Sequence, residues 1–147
     1  MAQIKRSAQA RWEGSLRAGM GQINSESGAI KKQPYSFSTR FEDEPGTNPE
    51  ELLAAAHAAC FSMAFSLTLT EKGHKPEAIE THATCILASQ PEGGFKITEM
   101  HLSVQGVVPG IDAATFREIA EEADKGCPVS NLLRPGLKIK LTDVTLK

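Results

Sequence analysis

Two cysteines in unlike settings are the residues best suited to chemistry. Cys60 lies in an apolar helical run, AAAHAACFSMAF, and Cys127 in the turn KGCPVSN. One thiol on a dry helix and another at a helix entrance point to reversible thiol chemistry rather than structural crosslinking. A buried thiol is desolvated, which raises its pKa and leaves it inert unless a cation or strong donor lies close. Arg40 is the best candidate for that cation, at the end of a small polar strand face leading into the loop that feeds the Cys60 helix. Its ordinary reading is a solvent-facing strand arginine, and Arg17, near the first expected turn, is the runner-up. Cys127 precedes Pro128, a residue suited to the first helical position. It is therefore expected at an N-cap, where free backbone N–H groups and the positive end of the helix dipole favour a thiolate. Cys85 shares a strand face with Ile79, Ala83 and Leu87 and reads as core.

His57 lies one turn before Cys60 and has the chemistry of a base or a metal ligand. A single histidine on an apolar helix is more often a hydrogen-bonded core residue. Zinc would need Cys127 and a fourth group besides Cys60 and His57, and no CxxC or HxxxH spacing supports it. Glu51 is explained as the carboxylate of a capping box begun by Asn48. Glu50, in the first helical turn, is free to pair with an arginine. It precedes Cys60 by ten residues, which places it about 15 Å away along one helix axis. Any help it gives Cys60 is expected from a second copy of the chain.

The elements that must position these groups follow from periodicity. Ile4 to Glu13 and Leu16 to Ile23 read as two strands joined at Gly14-Ser15, and Tyr35, Phe37, Thr39 and Phe41 alternate as a third. Asn48, Pro49 and Glu51 start a helix that runs to about Lys72 and stops at Gly73. It is apolar nearly all round, which predicts burial on most sides. Its length permits a membrane span, but His57, Ser62, Ser66 and many alanines argue against one. Ala78 to Ser89 and Phe95 to Val108 form an antiparallel hairpin about Pro91-Glu92-Gly93-Gly94. Asp112 caps a helix with a Phe116, Ile119, Ala120 and Ala123 stripe that ends at Gly126; a short helical turn from Pro128 to Leu133 and a strand from Leu137 to Leu146 complete the chain. The order predicts an α+β fold with largely antiparallel sheet around a long buried central helix. Covering that helix calls for more surface than these elements supply, so a homodimer is expected, with the helix near its interface.

The 147 residues fit one domain. A net charge of -2 with no basic stripe argues against a nucleic-acid partner. The opening MAQIKRSAQARWEG lacks the apolar stretch of an export signal, which makes a cytoplasmic location the expectation.

TRFEDEPGTNPEELLAAAHAACFSMAFSL followed by KGCPVSNLL resembles the OsmC/Ohr family, the osmotically inducible and organic hydroperoxide resistance proteins, across essentially the whole chain. The HAACFSMA wording and the arginine in the strand before the helix look more like the OsmC branch. The resemblance implies a single OsmC-like domain over 1–147, an intertwined homodimer with sites at the interface, and a cysteine-based peroxidase that needs no metal or organic cofactor. By motif, Cys60 is similar to the peroxidatic cysteine and Cys127 to the resolving cysteine, while Arg40 and Glu50 match the pair that orients and activates the thiol. The implied substrates are organic hydroperoxides, with hydrogen peroxide a poorer one; the implied reductant is an external thiol or dithiol. Phe61, Phe65, Met63 and Leu67 are expected to favour an alkyl tail. The competing reading is a non-enzymatic dimer that senses redox state or holds a hydrophobic ligand.

Overall fold

Small and aromatic residues alternate with polar ones in the first strand of the N-terminal sheet. In the computed structural model, which describes residues 2–136 and 138–147, β1 (Ala8–Glu13), β2 (Met20–Ser25) and β3 (Gln33–Ser36) form an antiparallel sheet in that order. Gly21 of β2 faces Trp12 on one side and Tyr35 on the other, and those rings lie 5.3 Å apart. A Cβ on Gly21 would stand 2.4 Å from the Tyr35 ring, so the close aromatic approach depends on glycine.

The expected strand through Phe41 ends early. After Ser36 the chain turns into a short helix, α1 (Phe37–Phe41). The cause is a reciprocal cap: Ser36 Oγ accepts the Thr39 N–H at 3.2 Å, and Thr39 Oγ1 accepts the Ser36 N–H at 2.9 Å. Phe37 and Phe41, four apart, fit either period, and here they stack at 5.0 Å as helical neighbours. Arg40 therefore belongs to the last turn of a helix, not to a strand face.

The next helix, α2 (Pro49–Glu71), begins where the cap residues predict. Asn48 Oδ1 accepts the Glu51 N–H at 2.8 Å, and Asn48 Nδ2 donates to the Thr39 carbonyl at 3.2 Å. Gly73, with φ of +86°, supplies the left-handed turn after its end.

The chain forms two compact units, Met1–Leu52 and Leu53–Lys147. In the second, β4 (Ala78–Ser89) and β5 (Phe95–Val107) pair antiparallel with an irregularity at Ile86/Leu87. The last strand, β6 (Lys138–Leu146), lies beside β5; the expected start at Leu137 falls outside the described residues. The β5–β6 pairing is parallel, because α3 (Ala113–Gly126) and α4 (Pro128–Leu133) carry the chain back along the sheet. The α+β class and the mainly antiparallel pairing stand.

The core of this unit joins Phe61, Phe65 and Leu69 of α2 to Leu102 and Val104 of β5 and to Phe116, Ile119, Ala120 and Ala123 of α3. The Phe65 and Phe116 rings lie 4.9 Å apart. Gly106 makes room for Phe116, since a Cβ there would meet that ring at 2.8 Å. Cys85 is half-buried on its strand, on the same face as Ile79, Ala83 and Leu87.

Within a single chain, α2 is buried along one stripe rather than on most sides. His57, Phe61, Phe65 and Leu69 are fully enclosed, whereas Met63 and Leu67 are 75% and 59% exposed and Ala55, Ala56 and Ala59 also face outward. The helix is long and apolar enough to cross a membrane by length and composition, yet its enclosed stripe belongs to the protein's own core.

Candidate active site

The first unit places Arg40 and Glu50 together. The α1 cap ends the strand so that Arg40 turns back towards the start of α2, where Glu50 is nearly buried. The guanidinium grips the carboxylate by its fork: Nη2 to Oε1 at 2.8 Å, with Nε at 3.2 and 3.3 Å from the two oxygens. Such a paired fork fixes both groups and leaves the remaining guanidinium donors available. Glu51 keeps to the exposed side of the cap, as its structural role requires. Arg17, the reserve cation, is engaged over the Phe37 ring at 4.8 Å. Arg40 also lines an apolar cleft of about 430 Å³ with Trp12, Leu16, Tyr35, Phe37 and Phe41. The sequence concealed this cleft, because reading Phe37 and Phe41 as strand residues spreads them along an extended face.

The second unit places Cys60 and Cys127 together. Both are free thiols; Cys127 is fully enclosed and Cys60 is half-buried. Burial pushes the Cys60 thiol up most strongly. The Val129 backbone N–H, as a hydrogen-bond donor, pulls it down, and the neighbouring Cys127 side chain pushes it further up. The net direction is up, towards an un-ionised thiol. No cationic side chain is among the groups that act on it among the described residues.

Cys127 is the N-cap of α4, as expected, but its sulfur caps no amide. The amide at the second position of that helix, Val129, serves Cys60 instead. Pro128 at the first position was the available clue: it marks a helix start, whose first N–H groups have no intrahelical partners. His57 is a satisfied core residue on one side, its Nε2 sharing a 2.7 Å hydrogen bond with Ser130 Oγ. Burial holds its pKa below the ordinary imidazole value, with the Asp124 charge pulling up and the Arg134 charge pulling down. Among the described residues no three His, Cys, Asp or Glu side chains gather where a metal could sit.

Two neighbouring free thiols, a half-exposed arginine paired with a buried glutamate, and an α+β scaffold suit a thiol-based redox protein. The comparisons narrow it. A family model described as OsmC-like protein matches residues 41–142. Peroxiredoxin OsmC of Escherichia coli strain K12 is 52% identical over 131 residues, covering 89% of this chain and 91% of that protein. An organic hydroperoxide resistance protein of Xanthomonas axonopodis is 33% identical over 97 residues, or 66% of each chain. The crystal structure of OhrB of Bacillus subtilis superposes with a TM-score of 0.71 at 27% identity, covering 96% of this chain and 98% of the other. The chain belongs to the OsmC-like family.

Proposed function

We propose that this chain is a cysteine-based peroxidase that reduces organic hydroperoxides, with Cys60 as the attacking thiol and Cys127 as the resolving one. The observation that carries the reading is that the fold seats these two free thiols as neighbours, from α2 and from the start of α4. The names of the Escherichia coli and Xanthomonas relatives point the same way.

The Cys60 thiolate attacks the outer peroxide oxygen, releasing an alcohol and leaving a sulfenic acid. The Cys127 thiol then attacks that sulfur, forming a disulfide and expelling water, and an external thiol or dithiol reduces the pair. The environment of Cys60 in its own unit works against ionisation. A cation is therefore required for the first step, and the Arg40–Glu50 clamp is the group prepared to supply it. Its spare guanidinium donors would also steady the peroxide.

Glu50 is ten residues from Cys60 on one helix, so the clamp acts on the thiol of a second copy in a homodimer. The uncovered Met63 and Leu67 side chains of α2 support an interface there. The whole chain, 1–147, is read as one functional OsmC-like domain built from its two compact units.

The preference for organic over hydrogen peroxide rests on different residues from those the sequence indicated. Phe61 and Phe65 are sealed in the core and have no access to a substrate. The aromatic cleft beside Arg40 offers the apolar surface instead, and each methylene it buries favours binding by about 0.8 kcal/mol. The deciding experiment is multiple-turnover consumption of cumene hydroperoxide and hydrogen peroxide with a dithiol. Cys60→Ser should abolish it; Cys127→Ser should permit one round of peroxide loss without the internal disulfide, followed by over-oxidation. A Cys127→Ser variant inactive in the first round would exchange the two assignments.

A further inference from the structure

Cys60 and Cys127 are not the only pair that joins α2 to α4. His57 lies three residues before Cys60, and Ser130 three residues after Cys127; one helical turn from the thiols, His57 Nε2 and Ser130 Oγ meet at 2.7 Å. Both residues are fully enclosed. We infer that the His57–Ser130 bond is a positioning strut for the resolving step, setting the register in which the Cys127 segment meets oxidised Cys60. This inference rests on the peroxidase reading above.

α4 depends on its surroundings for its position. Six residues are too few for a helix to hold by propensity, so tertiary contacts decide where it lies. Its other side-chain anchors lead to α3: Asn131 Nδ2 donates to the Lys125 carbonyl at 2.9 Å, and Arg134 Nη2 meets Asp124 Oδ2 at 3.0 Å. Those bonds fix α4 to α3 and say nothing of its register against the helix that carries Cys60. Apart from the contacts of Cys60 itself with Val129 and Cys127, which its oxidation alters, the side-chain hydrogen bond among the described residues that does so is His57–Ser130.

Resolution places demands on that register. In Cys60–SOH + Cys127–SH → Cys60–S–S–Cys127 + H2O, the new sulfur–sulfur bond is about 2.05 Å long, far shorter than a contact between two thiols. The Cys127 sulfur must therefore close on Cys60, by side-chain rotation or by a swing of the start of α4, while it stays aligned. A strut one turn away restricts that motion to a pivot and excludes sliding. Misplacement of reacting atoms by about 1 Å costs on the order of 100-fold in rate.

The test separates the two chemical steps in a single turnover with cumene hydroperoxide. Thiol loss at Cys60 and appearance of the Cys60–Cys127 disulfide are followed by rapid alkylation and mass spectrometry. In Ser130→Ala and His57→Leu, oxidation of Cys60 is expected within about two-fold of wild type. Disulfide formation is expected to slow by about 10- to 100-fold, with sulfinic Cys60 accumulating. His57→Gln, whose amide reaches the same position as Nε2, is expected to recover most of the resolving rate. Should a single variant prove unstable because it strands a buried polar partner, the double variant His57→Leu/Ser130→Ala leaves neither group stranded and decides the matter. Folded variants that form the disulfide at the wild-type rate overturn the strut. Wild type that consumes peroxide without a Cys60–Cys127 bond overturns the assignment of Cys127 as the resolving thiol, and wild type that leaves cumene hydroperoxide unconsumed overturns the peroxidase reading instead.

Discussion

Replacing Arg40 by methionine tests the electrostatic core of the mechanism. A thiol at its ordinary pKa of 9.0 is ionised to about 1% at pH 7, and burial pushes Cys60 above that value in its own unit. A cation within about 4–6 Å lowers an acid's pKa by about 1 to 3, which multiplies the thiolate population about 10- to 1000-fold at neutral pH. Arg40→Met keeps much of the side chain's bulk beside Phe41 and removes the charge. The rate of Cys60 oxidation at pH 7 should fall by about 10- to 1000-fold, and the rise of that rate with pH should move to a more alkaline midpoint. The thiolate absorbance of Cys60, titrated in a Cys127→Ser background, should move by the same amount. Arg40→Lys should recover part of the loss, as a point charge without the fork that Glu50 grips at 2.8 Å. Superimposable thiolate titrations for wild type and Arg40→Met would refute the reasoning, because the cation would then be doing nothing for the sulfur. Recovery of wild-type behaviour by Arg40→Met with the loss transferred to an Arg17 variant would move the role to Arg17.

Three other outcomes are expected. Met63→Glu combined with Leu67→Glu, both at exposed positions of α2, should convert a dimer to a monomer in sedimentation velocity with little change in circular dichroism; a monomeric wild type would remove the interface argument. Gly106→Ala drives a methyl against the Phe116 ring and should cost about 1–3 kcal/mol in urea denaturation, whereas an unchanged midpoint would show that the ring can move aside. His57 binds its proton less readily in the folded chain than at the ordinary value of 6.5. Its contribution to stability is therefore complete above that pH and declines as pH falls below it. Between about pH 6.5 and 5, above the ordinary range of the carboxylates, His57→Gln should flatten the fall in stability, and equal slopes would contradict the burial argument.

How much the sequence disclosed depended on whether the signal was local. The start of α2 was legible because Asn48 and Pro49 determine it from adjacent residues, and the β4–β5 hairpin because its long alternation admits one period. Tyr35 to Phe41 misled because residues four apart satisfy both periods, and the Ser36–Thr39 cap decided for a helix. The cysteine pair was legible as chemistry, but its surroundings were not. The amide that reaches Cys60 comes from Val129 and the partner of His57 is Ser130, contacts made across about seventy residues and beyond any reading of neighbours. The parallel placement of β6 was hidden for the same reason. The aromatic cleft needed the corrected course of the chain through α1 before Arg40 and Phe41 faced one space with Trp12.

The unfavourable surroundings of Cys60 in its own unit have a bearing on the life of a copy that has no partner. Such a copy carries a sulfur that is mostly un-ionised at neutral pH, and so is expected to react slowly with oxidants. On this reading, assembly arms the thiol, and newly synthesised or dissociated molecules are oxidised more slowly in a peroxide burst than assembled ones. Peroxidase activity per molecule would then decline on dilution well before the fold itself gives way.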